Sequence, residues 1–392
     1  MSNPNPLKKD RQTGKILFMY AEEAIHAGAG SSTGTIDNPI QREQHTQIPK
    51  IEGSGNRGST REASWDNFII TSWDNFIITH KNENDKTYLD YQSELDKITG
   101  NTDEDKKKRE ELINQMKALE QIFEQKFAQK FTKVFGNKND GEKHSAIEIA
   151  DAQLLFFPVR SWKGVFTWIT CPYLLKKYAR DHKRIFGKNE ELNNIGLEKD
   201  EANDEAAEAN QSLKDNEIIM NSHSNNSFTI GNEKKALLEE FLFDVIEKEI
   251  TINNLPIGEW ILSMFGGETN VNEMMKMLKT NIAVVNDDIF RDFVELYTVK
   301  ITRNKIDSET GTAERGGLFN EEYLPSDSIL YTPVIANAEF VEGGGLTAGE
   351  VMSFFEENLP ELYKVGGNKG IGKGLVRVKL FAPQPNNNQQ NQ

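Results

Sequence analysis

The sequence predicts an α+β fold, and three observations carry that reading. Strand-like runs, Lys15–Tyr20 and the two halves of Asp151–Tyr173, alternate along the chain with helix-like apolar stripes such as Ile113 to Phe131. A long β-hairpin is expected from Val299–Arg303 and Leu318–Leu324, separated by a Gly-, Thr- and Ser-rich connection. With 392 residues and 37% apolar side chains, the chain can fill a sizeable core as one elaborated domain or two average ones.

Taken in order, residues 1–13 are polar and expected to be loose. Lys15–Tyr20 alternates as a half-buried strand and feeds the loop His26–Glu43. Glycines and serines there let the backbone approach a ligand, and Asp37 is the one carboxylate before Asn38-Pro39, where Pro disfavours helix. An ordinary surface loop with an Asx turn is the bland alternative. Gly28, Gly30 and Gly34 nearly form a dinucleotide fingerprint, but the third glycine is one place late and no clear βαβ unit follows.

Ile48–Glu52 is a short strand candidate before Gly53–Arg61, where Ser54, Arg57 and Arg61 open a helix able to receive a phosphate. The alternative is a capped helix with a solvated basic face. SWDNFIIT then occurs twice in tandem, at 64–71 and 72–79. Eight residues are about 2.2 helical turns, so two helical copies are expected to present different faces. Thr102 caps a helix carrying Ile113, Met116, Leu119, Ile122, Phe123, Phe127 and Phe131, and Gly136 ends it.

Asp151–Tyr173 reads as two strands joined by Arg160-Ser161-Trp162-Lys163-Gly164, either a plain turn or a contact to a nucleic-acid backbone. Residues 187–233 are rich in Asn, Glu, Asp and Ser and are expected to form a flexible acidic insertion. A helix is expected over 235–248, with Leu237, Leu238, Phe241 and Val245 on one side, and another over 288–297, with Ile289, Phe293 and Leu296 inward. Ser328–Ala336 is a strand, and Thr347 caps a last helix to about Asn358. Gly366–Gly374 imitates a phosphate-binding P-loop, but Gly374 replaces the required Ser or Thr and a strand follows, not a helix. The tail from Gln384 is Asn- and Gln-rich and expected to be disordered.

No apolar run approaches 18 residues and the first residues lack a hydrophobic leader, so neither membrane insertion nor secretion is expected. One cysteine, Cys171, excludes an internal disulfide and fits a reducing cytoplasm. The net charge of −15 opposes nucleic-acid binding at face value. However, three lysines face ten carboxylates in 187–224, so much of the excess lies in one segment. Local fields outweigh a global sum that salt screens within about 10 Å.

The run His26–Glu43, Gly53–Arg61, Asp151–Tyr173, Asn286–Tyr297, Thr310–Ser328 and Val365–Leu375, in that order, resemble the backbone subunits of type III-B CRISPR (Cmr) effector complexes. These belong to the RAMP superfamily of RNA-binding proteins. Asn56 departs from the aliphatic residue usual there, and the tandem octapeptide is a second departure.

The resemblance implies an RRM-like (ferredoxin-like) antiparallel sheet with helices on one face. Residues 1–186 and 234–383 would form one domain, carrying a helical insertion at 62–136 and a thumb hairpin at 298–330. It implies copies stacked along a CRISPR guide RNA beside other Cmr subunits, with complementary single-stranded target RNA cut at regular intervals. Asp37 matches the catalytic aspartate and the position for Mg2+ or another divalent cation. His26, Glu321 and Tyr323 fall on assisting positions. RNA contacts would come from Arg42, Ser54, Arg57, Arg61, Arg160, Ser161, Lys163, Lys369 and Lys373. Ile306 and Leu318 would serve the thumb tip, since unstacking a base step costs a few kcal/mol. Two other readings stay open: a guide scaffold whose cutting is done elsewhere, and a nucleotide-dependent metabolic enzyme.

Overall fold

A computed structural model describes residues 11–32, 34–81, 85–136, 145–187, 213–307, 309–339 and 345–382. The chain opens with strand β1 (Gln12–Ala21) and the short β2 (Lys50–Ile51). Helices α1 (Gly53–Thr79), α2 (Tyr88–Asp96) and α3 (Asp103–Phe135) follow. Next come β3 (Ile147–Ile149), β4 (Ala152–Arg160), β5 (Phe166–Thr170) and α4 (Pro172–Phe186). Strands β6 (Glu217–Met220), β7 (Phe228–Ile230), β8 (Glu233–Leu238) and β9 (Phe241–Glu247) precede the tiny pair β10 (Thr251–Ile252) and β11 (Leu255–Pro256). The rest is α5 (Ile257–Met264), α6 (Glu273–Lys276), β12 (Ile282–Val284), α7 (Asp287–Leu296) and the hairpin β13 (Val299–Ile306) with β14 (Ala313–Tyr323). It closes with β15 (Ile329–Asn337), α8 (Ala348–Asn358), β16 (Leu362–Lys364) and β17 (Leu375–Phe381).

One 13-stranded sheet runs β16-β17-β1-β15-β4-β5-β12-β6-β9-β8-β7, with β2 on β4 and β3 on β15, while β13 and β14 pair only with each other. The architecture is α+β as expected. The sheet is not purely antiparallel, because β12 runs parallel to β5 and β6 parallel to β9. Nor are the helices confined to one face. From Ile16 to Ala21 every residue of β1 is buried: Leu17, Met19 and Ala21 lie in one core with Phe68, Phe131 and Val351 of α1, α3 and α8. Ile16, Phe18 and Tyr20 lie in a second core with Tyr178 and Trp260 of α4 and α5. Alternate side chains leave opposite faces of a strand, so two apolar sets require two covering layers.

Caps behave as the sequence indicated. Thr102 with Asp105 and Thr347 with Glu350 form capping boxes, and Gly136 ends α3 at φ 77°. In α7, Phe290, Phe293 and Val294 are the buried residues and Leu296 is exposed, a shift of the inward face from the expected one. In α3, Leu119, Phe123 and Phe131 are buried but Ile113 and Ile122 are exposed, and the side chain of Phe127 lies outside the described residues.

Two expectations are corrected. The stretch 235–248 is not a helix but the antiparallel pair β8–β9, turning at Glu239 with φ 50°. Its alternation buries Ala236, Leu238 and Phe243. Within the expected acidic insertion, residues 188–212 lie outside the described residues, as does the tail from 383. The part that is described, 213–233, contributes β6 and β7 to the sheet.

Both octapeptides lie in α1 and both meet α3. Trp65 and Phe68 pack on Phe131, with ring centroids 4.8 and 5.6 Å apart. Trp73 and Phe76 pack on Phe123 at 5.0 and 5.2 Å. The eight-residue step in α1 is matched by the eight-residue step from Phe123 to Phe131, so each copy finds its own ring despite the rotation between them.

Candidate nucleic-acid interface

The loop after β1 is tacked down on two sides. Single β-bridges join Ile25 to Leu324 and Asn38 to Glu321 of the hairpin region, and His26 to Gly367 of the glycine-rich loop. Gly366, at φ 74°, allows that approach: a Cβ there would sit 2.4 Å from the His26 carbonyl oxygen. Asp37 is exposed on this loop. Its Oδ2 accepts the Asn320 backbone N–H at 2.7 Å, and its own carbonyl accepts the Ser32 N–H at 2.8 Å. Among the described residues Oδ1 has no partner, so one carboxylate oxygen faces solvent on a backbone fixed from both ends.

His26 Nδ1 lies 2.7 Å from the Glu322 carbonyl and donates to it. That leaves Nε2 for chemistry, near Gly28, where a Cβ would lie only 2.9 Å away. The ring also packs on Tyr323, with centroids 5.4 Å apart.

Glu321 and Tyr323 are placed differently from Asp37. Tyr323 is fully buried and Glu321 only 7% exposed. The Tyr323 hydroxyl donates to Glu321 Oε2 at 2.6 Å. The same hydroxyl accepts from Arg303 Nη2 at 2.5 Å and Asn368 Nδ2 at 2.9 Å. Glu321 Oε2 also takes Asn368 Nδ2 at 3.2 Å and Arg303 Nε at 2.7 Å. Burial alone would raise the Glu321 carboxyl, but the Tyr323 and Asn368 hydrogen bonds and the Arg303 and His26 charges outweigh it and hold it below its ordinary value. Burial, reinforced by the Glu321 charge, pushes the Tyr323 phenol up to about 12.

The next residue turns the other way. Glu322 is buried, and burial would raise it, yet the Thr298 hydroxyl at 2.6 Å, Arg42 Nη2 at 2.6 Å and the Ile40 N–H at 3.0 Å hold its carboxyl down. Arg42, expected at RNA, has intramolecular partners. Its guanidinium is committed to Glu322 and, through Nη1, to the Gln47 carbonyl at 2.7 Å, so it braces the loop from within.

Other expected contacts divide into reachable and occupied groups. Ser54 is exposed on the first turn of α1. Arg57 donates through Nη2 to the Phe135 carbonyl at the end of α3, at 2.6 Å, and Ser161 is buried with its hydroxyl on the Lys163 carbonyl at 2.7 Å. Arg61 is half-buried over the Phe131 ring, its Nε without a hydrogen-bond partner, and burial followed by the Arg57 charge lowers its pKa. Lys163 caps the Ser227 carbonyl at 2.8 Å, and both it and Trp162 are exposed on that turn. Arg160 is exposed but paired with Glu239 at 3.1 Å, and Lys369 pairs with Glu62 at 2.6 Å. Such surface pairs are worth at most about 1 kcal/mol and open readily to a phosphate. Lys373 has its ammonium 5.4 Å from the Tyr323 ring centroid. Arg303 and Asn368, which complete this cluster, were not singled out from the sequence; no motif marks them, and only the folded hairpin and loop bring them together.

No group of three or more His, Cys, Asp or Glu side chains is placed to hold a metal ion among the described residues. Asp37 offers a divalent ion one free oxygen, short of the six oxygens such an ion takes. Among the described residues a divalent ion at Asp37 would therefore have to take its remaining ligands from substrate oxygens and water. No helix among the described residues is long and apolar enough to cross a membrane.

The family model of the RAMP superfamily matches residues 19–377. A curated relative, the CRISPR system Cmr endoribonuclease Cmr4 of Pyrococcus furiosus, is 29% identical over 367 residues, covering 93% of this chain and 95% of that protein. The CRISPR system CMR subunit Cmr4 of Saccharolobus solfataricus is 23% identical over 261 residues, 63% of this chain and 75% of that one. Among solved structures, oligomeric Cmr4 from Pyrococcus furiosus aligns with TM-score 0.51 and 24% identity, covering 94% of this chain and 98% of that one. A chain of the type III-B Cmr-beta complex bound to cognate target RNA aligns with TM-score 0.57 and 19% identity, covering 94% and 96%. At these identities the solved structures speak to the fold.

Proposed function

The chain belongs to the RAMP superfamily, and from that premise we propose that it is a backbone subunit of a type III-B CRISPR effector complex and an endoribonuclease. Copies would line a guide RNA beside other Cmr subunits, with base pairing selecting the target and the protein reading backbone and shape. Supporting this are the relative named an endoribonuclease and the solved Cmr assemblies that share the fold. We read the chain as an RRM-like domain elaborated by the helices of 62–136, acting in the cytoplasm. The hairpin β13–β14 serves as a thumb that kinks the duplex. Its Ile306 and Leu318 are 56% and 65% exposed, as a wedge between bases requires.

The observation that carries the catalytic reading is Asp37: exposed, backbone-anchored and half unpaired between the hairpin and the glycine-rich loop. In this reading the free Oδ1 accepts the proton of a target ribose 2′-OH. The 2′-oxygen attacks the adjacent phosphorus, the P–O5′ bond breaks, and the departing 5′-oxygen takes the Nε2 proton of a His26 ring that carries protons on both nitrogens. The products are a 2′,3′-cyclic phosphate and a 5′-hydroxyl. Mg2+ or another divalent ion remains our proposed cofactor only as an ion completed by RNA phosphate oxygens and water, since the chain provides one ligand. Its bearing is read directly from cutting with and without a chelator.

The test uses complex assembled on guide RNA and offered complementary labelled RNA. Wild type should release fragments at regular spacing. Asp37→Ala should bind guide and target unchanged and release none. Undiminished cutting by Asp37→Ala would remove it from the chemistry and favour the scaffold reading.

A further inference from the structure

Asp37 and Arg303 are anchored on consecutive residues of one strand: Asp37 on the backbone N–H of Asn320, Arg303 on the carboxylate of Glu321. In the hairpin register Arg303 faces Phe319 and Ile301 faces Glu321, so Arg303 reaches Glu321 diagonally on the same face. Its guanidinium spends Nε on Glu321 and Nη2 on the Tyr323 hydroxyl, while Nη1 has no partner among the described residues. The side chain is 24% exposed, although both groups that hold it are buried. An ordinary ion pair needs none of this scaffolding. Here a phenol and a carboxylate fix one guanidinium with a free edge, and both are held in turn by the side-chain amide of Asn368, whose backbone sits in the left-handed region at φ 61°.

The local charge points to an anion. Lys373 lies against the same tyrosine ring, as does Arg303 with its Cζ 5.8 Å from the centroid, and no carboxylate among the described residues pairs with Lys373. Two cations with one buried acid between them leave an uncompensated positive charge beside the Asp37 loop.

We infer that Arg303 is a catalytic residue, its free guanidinium edge laid on a non-bridging oxygen of the phosphodiester being cut, and that Glu321, Tyr323 and Asn368 are its positioning residues. This rests on the endoribonuclease reading above and deepens it. As the 2′-oxygen attacks, charge grows on the non-bridging oxygens, where a fixed donor is most effective because nothing has to reorganise. A guanidinium suits the task better than an ammonium, since it can hold its two protein partners and the phosphate at once.

The experiment compares wild type, Arg303→Ala, Arg303→Lys and Asp37→Ala in assembled complexes at saturating target RNA under single-turnover conditions. Arg303→Ala should cut on the order of 10²-fold more slowly, the effect of losing one such donor, with target affinity changed less than about threefold. Millimolar guanidinium ion should restore part of that rate and leave Asp37→Ala inactive. Arg303→Lys, which keeps the charge and so protects the fold if the alanine variant fails to assemble, should remain at least about tenfold slow. An assembled Arg303→Ala at wild-type speed, or a wild-type rate in Arg303→Lys, would overturn the inference while a dead Asp37→Ala leaves the nuclease reading standing. Cutting by Asp37→Ala would instead remove the reading beneath it.

Discussion

Asp37 and Glu321 are bridged to each other's neighbours on adjacent backbone and yet are housed in opposite ways. Asp37 stands in solvent with one backbone donor on one oxygen. Glu321 is buried, with a phenol, an amide and a guanidinium converging on one oxygen. A carboxylate held three times on one oxygen in a buried pocket is fixed in place and screened from a substrate, whereas an exposed one with a single backbone donor is open to a proton or an ion. The difference teaches that acids gathered at one site need not share a role: exposure assigns the chemistry and burial assigns the positioning.

Breaking the exposed half should give the largest effect. Asp37→Ala is expected to slow target cutting by at least about 10³-fold, which leaves no fragments to detect, within the range for a lost acid–base group. Thermal unfolding should move by less than about 0.5 kcal/mol, as for a surface substitution. A clear drop in stability would mean that Asp37 is structural after all. The buried neighbour of Glu321 should respond in reverse. Glu322→Ala strands Arg42, whose side chain is only 15% exposed, and should cost about 3 kcal/mol in denaturant unfolding.

Acid should reach both buried glutamates. Their folded carboxyls sit below the ordinary 4.5, so each stabilises the fold fully above that value and loses its contribution as pH falls through the lower folded one. Unfolding curves should therefore weaken below pH 4.5, and Glu322→Gln should flatten that dependence. A wild-type profile flat from 6 to 3 would contradict the hydrogen-bond assignment. Tyr323→Phe removes one hydroxyl that joins Glu321, Arg303 and Asn368, at about 1–2 kcal/mol in stability. The smallest effect belongs to the surface: Lys369→Ala should leave folding and cutting rate unchanged and lower the salt slope of RNA binding by about 0.7.

Much of this was legible in the sequence because it is local. Thr102 and Thr347 announce their helices through residues three positions on, and Gly136 announces an end. What was not legible depends on distant partners or on an unmarked turn. Arg42 reads as a free cation until Glu322, 280 residues away, supplies its partner. Lys235 to Lys248 matches a helical stripe because the turn at Glu239 uses no Gly or Asn to reveal it, the left-handed φ being borne by a glutamate. Likewise Leu154 and Leu155 sit back to back in two different cores, and the run they belong to cannot say whether one layer of helices covers it or two.

The paired rungs of α1 and α3 have a consequence for lineage. Gain of one octapeptide in α1, met by eight residues in α3, lengthens the packed helix pair by about 12 Å. Reach thus becomes a trait that can be inherited in whole increments, each bringing its own Trp and Phe to the next ring along.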